Sequence, residues 1–282
     1  MIIVKTRSAL SKYLDHWRTQ ALPIGFVPTM GALHEGHIAL ISQAKQQTQK
    51  VVCSIFVNPT QFNDPADFKK YPITIEEDIV KLSAAGTDIL FLPSVHELYR
   101  EGTAGLEKYD LGYLETVLEG AFRPGHFQGV CQVMSRLLDA VKADKLFMGQ
   151  KDYQQCMVVA RLIELKKIPT ELIPCATIRE EDGLAMSSRN KRLNEAERKN
   201  AIGIYKALSF IKSNLKEGPL DSLKKQAAGI IEQHHFKIDY IEIADSKSLQ
   251  LINNWNGKQQ LVALAAAFQN EVRLIDNMII TS

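Results

Sequence analysis

Twelve consecutive residues near the N-terminus predict a strand, a tight turn and the start of a helix: Phe26-Val27-Pro28-Thr29-Met30-Gly31-Ala32-Leu33-His34-Glu35-Gly36-His37. The first turn of such a helix has unpaired backbone N–H groups and the positive end of the helix dipole, which together suit a phosphate. His34 and His37 are three positions apart and therefore share one helix face. The stretch predicts an anion-binding turn, although this spacing also fits half of a metal site or a structural helix cap.

Outward from this turn, strand-like and helix-like segments alternate over the first two thirds of the chain. Strands are predicted at residues 25–28, 51–57, 89–92, 145–148 and 171–174. Helices are predicted at residues 8–19, 36–47, 74–85, 127–142 and 153–165. This alternation is typical of an α/β fold with a Rossmann-like parallel sheet, in which ligands bind beyond the C-terminal ends of the strands.

The pattern changes after about residue 178. Two helices are predicted there, at 194–216 and 220–233, followed by strands at 238–244, 260–268 and 272–280. Helices followed by strands favour a smaller α+β domain. We therefore predict a Rossmann-like catalytic domain at 1–177 and a small lid domain at 178–282, with a hinge or lid loop at 180–192.

The composition excludes several classes of protein. With 282 residues, 45% of them hydrophobic, and a net charge of +2, the chain has an ordinary globular composition and no strongly basic character that would favour a nucleic-acid partner. Its four cysteines form no Cys-x-x-Cys pair and are expected to be core residues in a reducing compartment. Because no secretory signal or membrane-spanning stretch is evident, we expect a cytoplasmic protein that does not bind membranes.

Uncharged amides follow the predicted strand at residues 51–57. Asn58 and Gln61 lie on either side of Pro59 and Thr60, where the proline ends the strand. Amide groups both donate and accept hydrogen bonds, which suits the recognition of hydroxyl and carboxylate groups. For Asn58 alone, turn formation at the Asn-Pro pair is the simpler explanation.

A second strand, glycine and helix start occurs at Gly149. Lys151 follows at a position from which it can reach an anionic oxygen, and Gln155 lies on the first turn of the helix. Asp152 can cap that helix. A capped helix with a solvated lysine would explain Asp152 but not the repetition of the strand-glycine-helix pattern.

Two further segments contain an arginine, in one case next to hydroxyl groups and in the other before a turn. Ser187, Ser188 and Arg189 precede a helix, and such groups bind phosphate oxygens well, although a solvated charge run is the simpler explanation. Arg123 precedes a Pro-Gly turn and is either a ligand for a substrate carboxylate or an ordinary surface arginine.

Taken together, five motifs resemble those of the pantothenate synthetase (pantoate–β-alanine ligase) family, which belongs to the nucleotidyltransferases with a His-x-Gly-His signature. They are Pro28-Thr29-Met30-Gly31-Ala32-Leu33-His34-Glu35-Gly36-His37, Phe56-Val57-Asn58-Pro59-Thr60-Gln61-Phe62, Arg123-Pro124-Gly125-His126-Phe127-Gln128-Gly129-Val130, Gly149-Gln150-Lys151-Asp152-Tyr153-Gln154-Gln155 and Met186-Ser187-Ser188-Arg189-Asn190. They come in the family's order and span essentially the whole chain. Thr60 stands where many members have methionine, a change that we expect to reshape the pocket wall only slightly.

The resemblance implies ATP-dependent condensation of (R)-pantoate with β-alanine through a pantoyl-adenylate, with release of AMP and pyrophosphate. The implied catalytic residues are His34, His37, Lys151, Ser187, Ser188 and Arg189, with His37 as the proton donor to the leaving group. The implied nucleotide-binding residues are Met30, Gly31, Ala32, Leu33, His34, Glu35, Gly36, His37, Gly149, Gln150, Lys151, Asp152, Ile178, Met186, Ser187, Ser188 and Arg189. The implied substrate ligands are Gln61 and Gln155, followed by Asn58 and Arg123.

The resemblance also implies Mg²⁺ on the ATP phosphates and a homodimer. Asp78 is a candidate Mg²⁺ ligand, although Glu76, Glu77 and Asp78 also fit a set of acidic residues at a helix N-terminus. Three alternatives are an adenylyltransferase that stops at a nucleotide conjugate, a non-catalytic ATP sensor and a tRNA-binding relative. The paired glutamines argue against the first, the presence of both His37 and Lys151 against the second, and the short, nearly neutral chain against the third.

Overall fold

The computed structural model describes residues 1–61, 68 and 71–281. The chain forms two compact units, which are described separately. The first unit comprises Met1–Gln150 and Gln154–Ala176. The second comprises Lys151–Tyr153 and the chain from Thr177 onward. The short segment Lys151–Tyr153 is thus part of the second unit although it lies within the sequence of the first.

A six-stranded parallel sheet forms the centre of the first unit, as the alternating pattern predicts. Its strands are β1 (Ile2–Val4), β2 (Ile24–Thr29), β3 (Lys50–Ile55), β4 (Ile89–Phe91), β5 (Lys145–Gly149) and β6 (Glu171–Cys175). Their order across the sheet is β1-β4-β3-β2-β5-β6. The α/β fold with a parallel sheet is therefore confirmed.

Helices connect these strands. They are α1 (Arg7–Thr19), α2 (Glu35–Gln47), α3 (Ile75–Ala84), α4 (Val95–Leu98), α5 (Glu119–Phe122), α6 (His126–Val141) and α7 (Tyr153–Lys166). The strands read as nearly continuous apolar runs because a sheet covered on both faces has no solvent side. Strand β3 shows this clearly, since every residue from Val51 to Ile55 is buried. The predicted helices and strands of this unit are all present, and their ends shift by no more than two residues.

The order of the strands determines where a ligand can bind. Strand β2 pairs with β3 on one side and with β5 on the other. The connection after β2 runs to β3 on one side, and the connection after β5 runs to β6 on the other side. The two connections therefore diverge at the carboxyl ends of β2 and β5. Such a point of divergence is where ligands bind in open parallel sheets. The histidine turn follows β2, and the second glycine turn follows β5.

The second unit is the predicted small α+β structure. Its helices are α8 (Glu195–Asn200), α9 (Gly203–Asn214) and α10 (Asp221–Gln233), and its strands are β7 (Gly218–Pro219), β8 (Lys237–Asp245), β9 (Asn254–Trp255), β10 (Leu261–Gln269) and β11 (Val272–Ile279). Strand β10 pairs antiparallel with β8 and β11, while β7 and β9 form a separate pair. Alanines Ala263, Ala265 and Ala267 of β10 share a buried core with Ile204 and Leu208 of α9.

The prediction of one continuous helix over residues 194–216 is wrong. The structure has two helices there, α8 and α9, separated by Ala201 and Ile202. Asn194 begins α8 with a capping box completed by Glu197. At the start of α9, a Cβ on Gly203 would lie 2.7 Å from the Cβ of His234, so this helix packs too closely there for any larger residue. Glycine also weakens a continuous helix.

The predicted lid loop at 180–192 contains more structure than a loop. Arg179 and Ala185 form an isolated antiparallel bridge, and Ser188–Arg192 form a short 3-10 helix.

Among the helices of the described part of the chain, none combines the length and the apolar character needed to cross a membrane.

Candidate active site

The turn after β2 is held by one buried carboxylate. Gly31 and Ala32 both have positive φ angles, +83° and +50°, and Gly31 is the residue type that tolerates this conformation best. Asp78 of α3 accepts hydrogen bonds from the backbone N–H groups of Ala32 at 2.9 Å and Leu33 at 2.8 Å. On the same turn, Lys81 donates to the Leu33 carbonyl at 2.7 Å. The carboxylate therefore supports a backbone conformation that the local sequence alone would not maintain.

The two histidines form the cap of helix α2. His34 is the N-cap residue, and its Nδ1 accepts from the backbone N–H of Gly36 at 3.2 Å. His37 Nδ1 accepts in turn from the backbone N–H of His34 at 3.3 Å. The ring centroids are 4.1 Å apart. Because each Nδ1 is an acceptor, the hydrogen of each neutral imidazole lies on Nε2, and both rings carry Nε2–H donors.

The predicted amides belong to one hydrogen-bonded group. Asn58 is buried, and its Nδ2 donates to Gln61 Oε1 at 3.2 Å and to the Gly129 carbonyl at 3.0 Å. Gln61 ends a 3-10 helix, Pro59–Gln61, and its Nε2 lies 2.9 Å from Met30 Sδ. The structure therefore brings Met30, Asn58 and Gln61 together. Phe62, at the end of the same motif, lies outside the described residues.

Arg123 reaches this group through a histidine that the sequence analysis did not single out. Its Nη1 lies 3.0 Å from His126 Nε2, and the other ring nitrogen of His126 is 2.8 Å from the Gln61 carbonyl. Arg123 also lies 3.6 Å from the Glu119 carboxylate. His126 is buried and begins helix α6, while Arg123 caps the end of α5, so the Pro124-Gly125 turn between the two helices brings their side chains together.

The neighbouring glutamines at the start of α7 have different environments. Gln154 is buried; it accepts from the Glu119 backbone N–H at 3.1 Å and donates to the carbonyls of Leu114 and Val117 at 2.8 and 2.9 Å. Gln155 is only half-buried. Of the two, Gln154 therefore supports the fold, and Gln155 is the residue accessible to a ligand.

In the second unit, Lys151 is attached through its backbone. Asn277 of β11 donates from Nδ2 to the Lys151 carbonyl at 2.7 Å. The Lys151 ammonium lies 3.8 Å from the Asp152 carboxylate. Tyr153 donates from its hydroxyl to the Ser246 carbonyl at 2.5 Å, which attaches the same short segment a second time.

The segment with Ser187 and Arg189 forms a wall of the cavity that contains Lys151. This cavity of the second unit is lined by Lys151, Ser187, Arg189, Arg273 and Asp276, among others. Ser187 caps the short 3-10 helix by accepting from the Arg189 backbone N–H at 3.2 Å. The structure thus brings three predicted phosphate ligands together, and it adds Arg273, which sequence reasoning missed.

Ion pairs hold the segment that precedes this wall. Arg179 contacts both Asp276 oxygens, at 2.6 and 3.1 Å. Arg198 donates to Glu180 and to Asp182, and the hydrogen bond from Arg198 is the main cause that lowers the pKa of the Asp182 carboxyl. At its start, Ile178 pairs with Met186 through a backbone hydrogen bond of 3.0 Å. Ile178 and Met186, both predicted to frame the nucleotide, are therefore neighbours.

Asp78 does not fit the prediction of a Mg²⁺ ligand. Both of its oxygens accept backbone hydrogen bonds, and Thr74 donates to Oδ1 as well, at 3.2 Å. Within the described ranges, no group of three or more His, Cys, Asp or Glu side chains is arranged to hold a metal ion. A metal on Asp78 would have to displace the bonds that hold the histidine turn.

The cysteines are core residues, as predicted. All four are buried, and none of them is in a disulfide bond. Burial raises the pKa of the Cys53 and Cys131 thiols to about 12, which keeps both protonated at neutral pH. These two thiols therefore do not serve as nucleophiles.

Comparison with known proteins shows which family this chain resembles over its length. A family model described as "Pantoate-beta-alanine ligase" matches residues 2–279. A pantothenate synthetase of Cytophaga hutchinsonii is 44% identical over 99% of this chain and 99% of its own length. Crystal structures of pantothenate synthetase from Thermus thermophilus (38% identity, TM-score 0.86, all of both chains) and of pantoate–β-alanine ligase from Francisella tularensis (37% identity, TM-score 0.83, 100% of this chain and 98% of that one) match in fold.

The Francisella tularensis structure is described as a complex with "Beta-gamma ATP and Beta-alanine". A full-length family match, close relatives over nearly the entire chain and the same fold show one result: this chain belongs to the pantoate–β-alanine ligase family, whose activity is pantothenate synthesis.

Proposed function

We propose that this chain performs the family's ligation in two steps through an adenylate. In the first step, a carboxylate oxygen of (R)-pantoate attacks the α-phosphorus of ATP, and pyrophosphate leaves. In the second step, the amine of β-alanine attacks the acyl carbon, AMP leaves and an amide bond forms. Neither step needs a nucleophilic side chain, so the protein contributes positioning and positive charge.

One observation carries this proposal: two imidazole rings lie at a helix N-terminus, and the Nδ1 of each accepts a backbone hydrogen bond. The N-terminus of α2 supplies partial positive charge, and the His34 and His37 Nε2–H groups supply donors for phosphate oxygens. We propose that both rings contact the ATP phosphates and that His37 donates its proton to the leaving pyrophosphate.

In the second unit, Lys151, Ser187, Ser188 and Arg189 are proposed to bind the phosphates. Support comes from the common cavity wall of Lys151, Ser187 and Arg189, since ammonium, hydroxyl and guanidinium groups are good ligands for phosphate oxygens. The remaining proposed contacts to the nucleotide are Met30, Gly31, Ala32, Leu33, Glu35, Gly36, Gly149, Gln150, Asp152, Ile178 and Met186.

For pantoate, we propose Gln61 and Gln155 as direct ligands. Asn58 is buried and bonded to Gln61, so its contribution is to support Gln61. Arg123 is bonded to His126 and paired with Glu119, so we propose that it stabilises the 3-10 helix through His126. Neither of these two residues is proposed to touch pantoate.

Mg²⁺ is proposed to enter with ATP as part of the substrate, bound to phosphate oxygens, as its preference for oxygen ligands and retained waters allows. ATP and β-alanine as ligands are supported by the description of the Francisella tularensis complex. A homodimer and a cytoplasmic location remain predictions.

An isotope-exchange experiment tests the two-step course. The protein is incubated with ATP, Mg²⁺, (R)-pantoate and labelled pyrophosphate in the absence of β-alanine. Label is expected to enter ATP only when pantoate is present, because the adenylate then forms reversibly. Addition of β-alanine should convert the accumulated adenylate to AMP and pantothenate. Exchange that requires β-alanine would contradict a separate adenylate.

A further inference from the structure

Two hydroxyl groups lie behind the Asn58–Gln61 pair and have no place in the proposed chemistry. The Tyr99 hydroxyl donates to Asn58 Oδ1 at 2.8 Å. The Thr60 hydroxyl lies 3.1 Å from the same oxygen and 3.3 Å from the Tyr99 hydroxyl. The Thr60 backbone N–H also points at Asn58 Oδ1, at 3.4 Å. Three donors therefore surround one amide oxygen.

These contacts determine which way the Asn58 amide faces. If the amide were turned over, its nitrogen would face the Thr60 backbone N–H, and its oxygen would face the Gly129 carbonyl. The first arrangement would place a donor against a donor, and the second an acceptor against an acceptor. Both would lie in a buried site, where a polar group without a partner is costly. Asn58 Nδ2 therefore points at Gln61.

The orientation of Asn58 determines that of Gln61. Asn58 Nδ2 is a donor, so the Gln61 atom that receives its hydrogen bond is Oε1. The Gln61 –NH₂ group then faces the other way, and Met30 Sδ, a weak acceptor, lies 2.9 Å from it. An amide nitrogen carries two hydrogens, so this end of Gln61 offers donors to a ligand.

The backbone around the four residues is closely packed. A Cβ on Gly129 would overlap the backbone of Thr60 and Gln61, so helix α6 contacts the 3-10 helix directly. Tyr99 is only 3% exposed, and burial raises the pKa of its hydroxyl, against the opposing effect of its Thr60, Arg136 and Asn58 contacts. The hydroxyl thus remains a donor at neutral pH.

We propose that Tyr99 and Thr60 are positioning residues that hold Gln61, through Asn58, as a hydrogen-bond donor to an oxygen of pantoate. The group recognised is an acceptor, namely the carboxylate or a hydroxyl oxygen. This inference rests on the proposed contact between Gln61 and pantoate.

The first test removes the two hydroxyls. KM for pantoate is expected to rise several-fold in Thr60→Val and in Tyr99→Phe, each of which loses one side-chain hydrogen bond to Asn58 Oδ1. It should rise about tenfold or more, equivalent to about 1.4 kcal/mol, in the double variant, which loses both. KM for ATP should stay within about twofold, since these residues act on the pantoate ligand alone.

Matched controls separate positioning from general stability. Thr87→Val makes the same change at a buried threonine whose hydroxyl has no hydrogen-bond partner among the described residues. Tyr109→Phe removes a buried tyrosine's bond to Glu107. Both should leave KM for pantoate unchanged, and Thr60→Ser should restore it to the wild-type value. If the test variants lower the melting temperature but leave KM for pantoate within about twofold, the proposal is overturned.

The second test reverses the polarity of Gln61. Gln61→Glu retains an oxygen that accepts from Asn58 but replaces the donor end by an acceptor. It should raise KM for pantoate more than Gln61→Ala, and the penalty should shrink as the pH falls and the glutamate protonates. Equal effects of Glu and Ala at every pH would overturn the assigned polarity.

The outcomes distinguish this inference from the proposal on which it rests. If Gln61→Ala leaves KM for pantoate unchanged, Gln61 is not a pantoate ligand, and the positioning role falls with it. If Gln61→Ala raises KM for pantoate while the Thr60 and Tyr99 variants do not, the pantoate contact stands and only the positioning role is wrong.

Discussion

The histidine turn of the first unit and the 177–193 segment of the second are both proposed to bind phosphate, but they are held in different ways. The turn is supported by buried Asp78, which accepts hydrogen bonds directly from backbone N–H groups. The segment is held mainly through side chains: Arg198, Glu180 and Asp182 form a network in which each side chain is about a third exposed, at 31%, 32% and 38%.

This difference has an energetic consequence. Hydrogen bonds that a buried carboxylate accepts from backbone N–H groups contribute about 1.5–3 kcal/mol each, whereas solvent-exposed ion pairs contribute about 0–1 kcal/mol. The histidine turn is therefore preorganised, while the Arg198 contacts to residues 180 and 182 can rearrange at small cost; the firmer attachment of the 177–193 segment is the pair between Arg179 and buried Asp276. A preorganised donor set suits charge that develops at the reacting phosphate, and an adaptable segment suits the binding and release of ATP.

Asp78→Asn should have the largest effect. One end of the asparagine amide would present N–H to a backbone N–H, so we expect a loss of about 3 kcal/mol in the free energy of unfolding, together with loss of adenylate formation. Denaturant unfolding and pyrophosphate exchange measure the two effects. Glu77→Gln, an exposed position on the same helix, is the matched control. Full stability with selective loss of Mg²⁺-dependent activity would instead favour a metal at Asp78.

His37→Ala should affect the rate much more than the fold. Loss of a general acid reduces rates by about 10²–10⁴-fold, whereas loss of its capping contact is expected to cost about 1 kcal/mol or less. Pyrophosphate exchange and thermal unfolding give the two values, with exposed His16→Ala as the control. Turnover equal to that of the wild type would remove His37 from the mechanism.

Lys151→Ala removes the ammonium group, whereas Asn277→Ala removes the hydrogen bond that holds the Lys151 backbone. Loss of the ammonium should weaken ATP binding by about tenfold or more, because charge-assisted bonds are the stronger ones. Asn277→Ala removes the bond to the Lys151 carbonyl and should weaken ATP binding by a few-fold. Calorimetric titration with ATP measures both, with exposed Lys12→Ala as the control. Unchanged affinity in Lys151→Ala would contradict its assignment.

Arg198→Met should have the smallest effect. At neutral pH, we expect the free energy of unfolding to fall by less than about 1 kcal/mol, since these side chains are partly exposed. The pKa of Asp182 is lowered in the folded state, so its contribution is present above the unfolded value near 3.8 and is lost as the pH falls through the folded pKa.

Unfolding of the wild type and of Arg198→Met as a function of pH measures that contribution. The difference between the two proteins should shrink as the pH falls below about 4 and disappear below the folded pKa of Asp182. A difference that grows on acidification would show that the pair does not stabilise the fold. If Arg198→Met lowers the free energy of unfolding by more than about 2 kcal/mol at neutral pH, the 177–193 segment is as rigidly held as the histidine turn.

Much of the fold followed from the order of apolar residues along the chain. Residues 51–55 read as a buried strand because no position in them is polar enough to face solvent, apart from Ser54. The histidine turn was predicted for a similar reason, since a glycine after a strand and a helical pattern behind it are local signals. The break between α8 and α9 was missed because it involves packing of Gly203 against His234, which is distant in sequence.

The sequence by itself determined the periodicity of the elements, the parallel sheet and the positions of His34, His37, Gln61 and Lys151, because each of these depends on neighbours within a few residues. Only the tertiary structure decided what supports them. Asp78 reaches the histidine turn from more than forty positions away, and Tyr99 is equally distant from Asn58. Such contacts depend on how the strands are ordered in the sheet, and no local pattern records which buried donor will meet which acceptor.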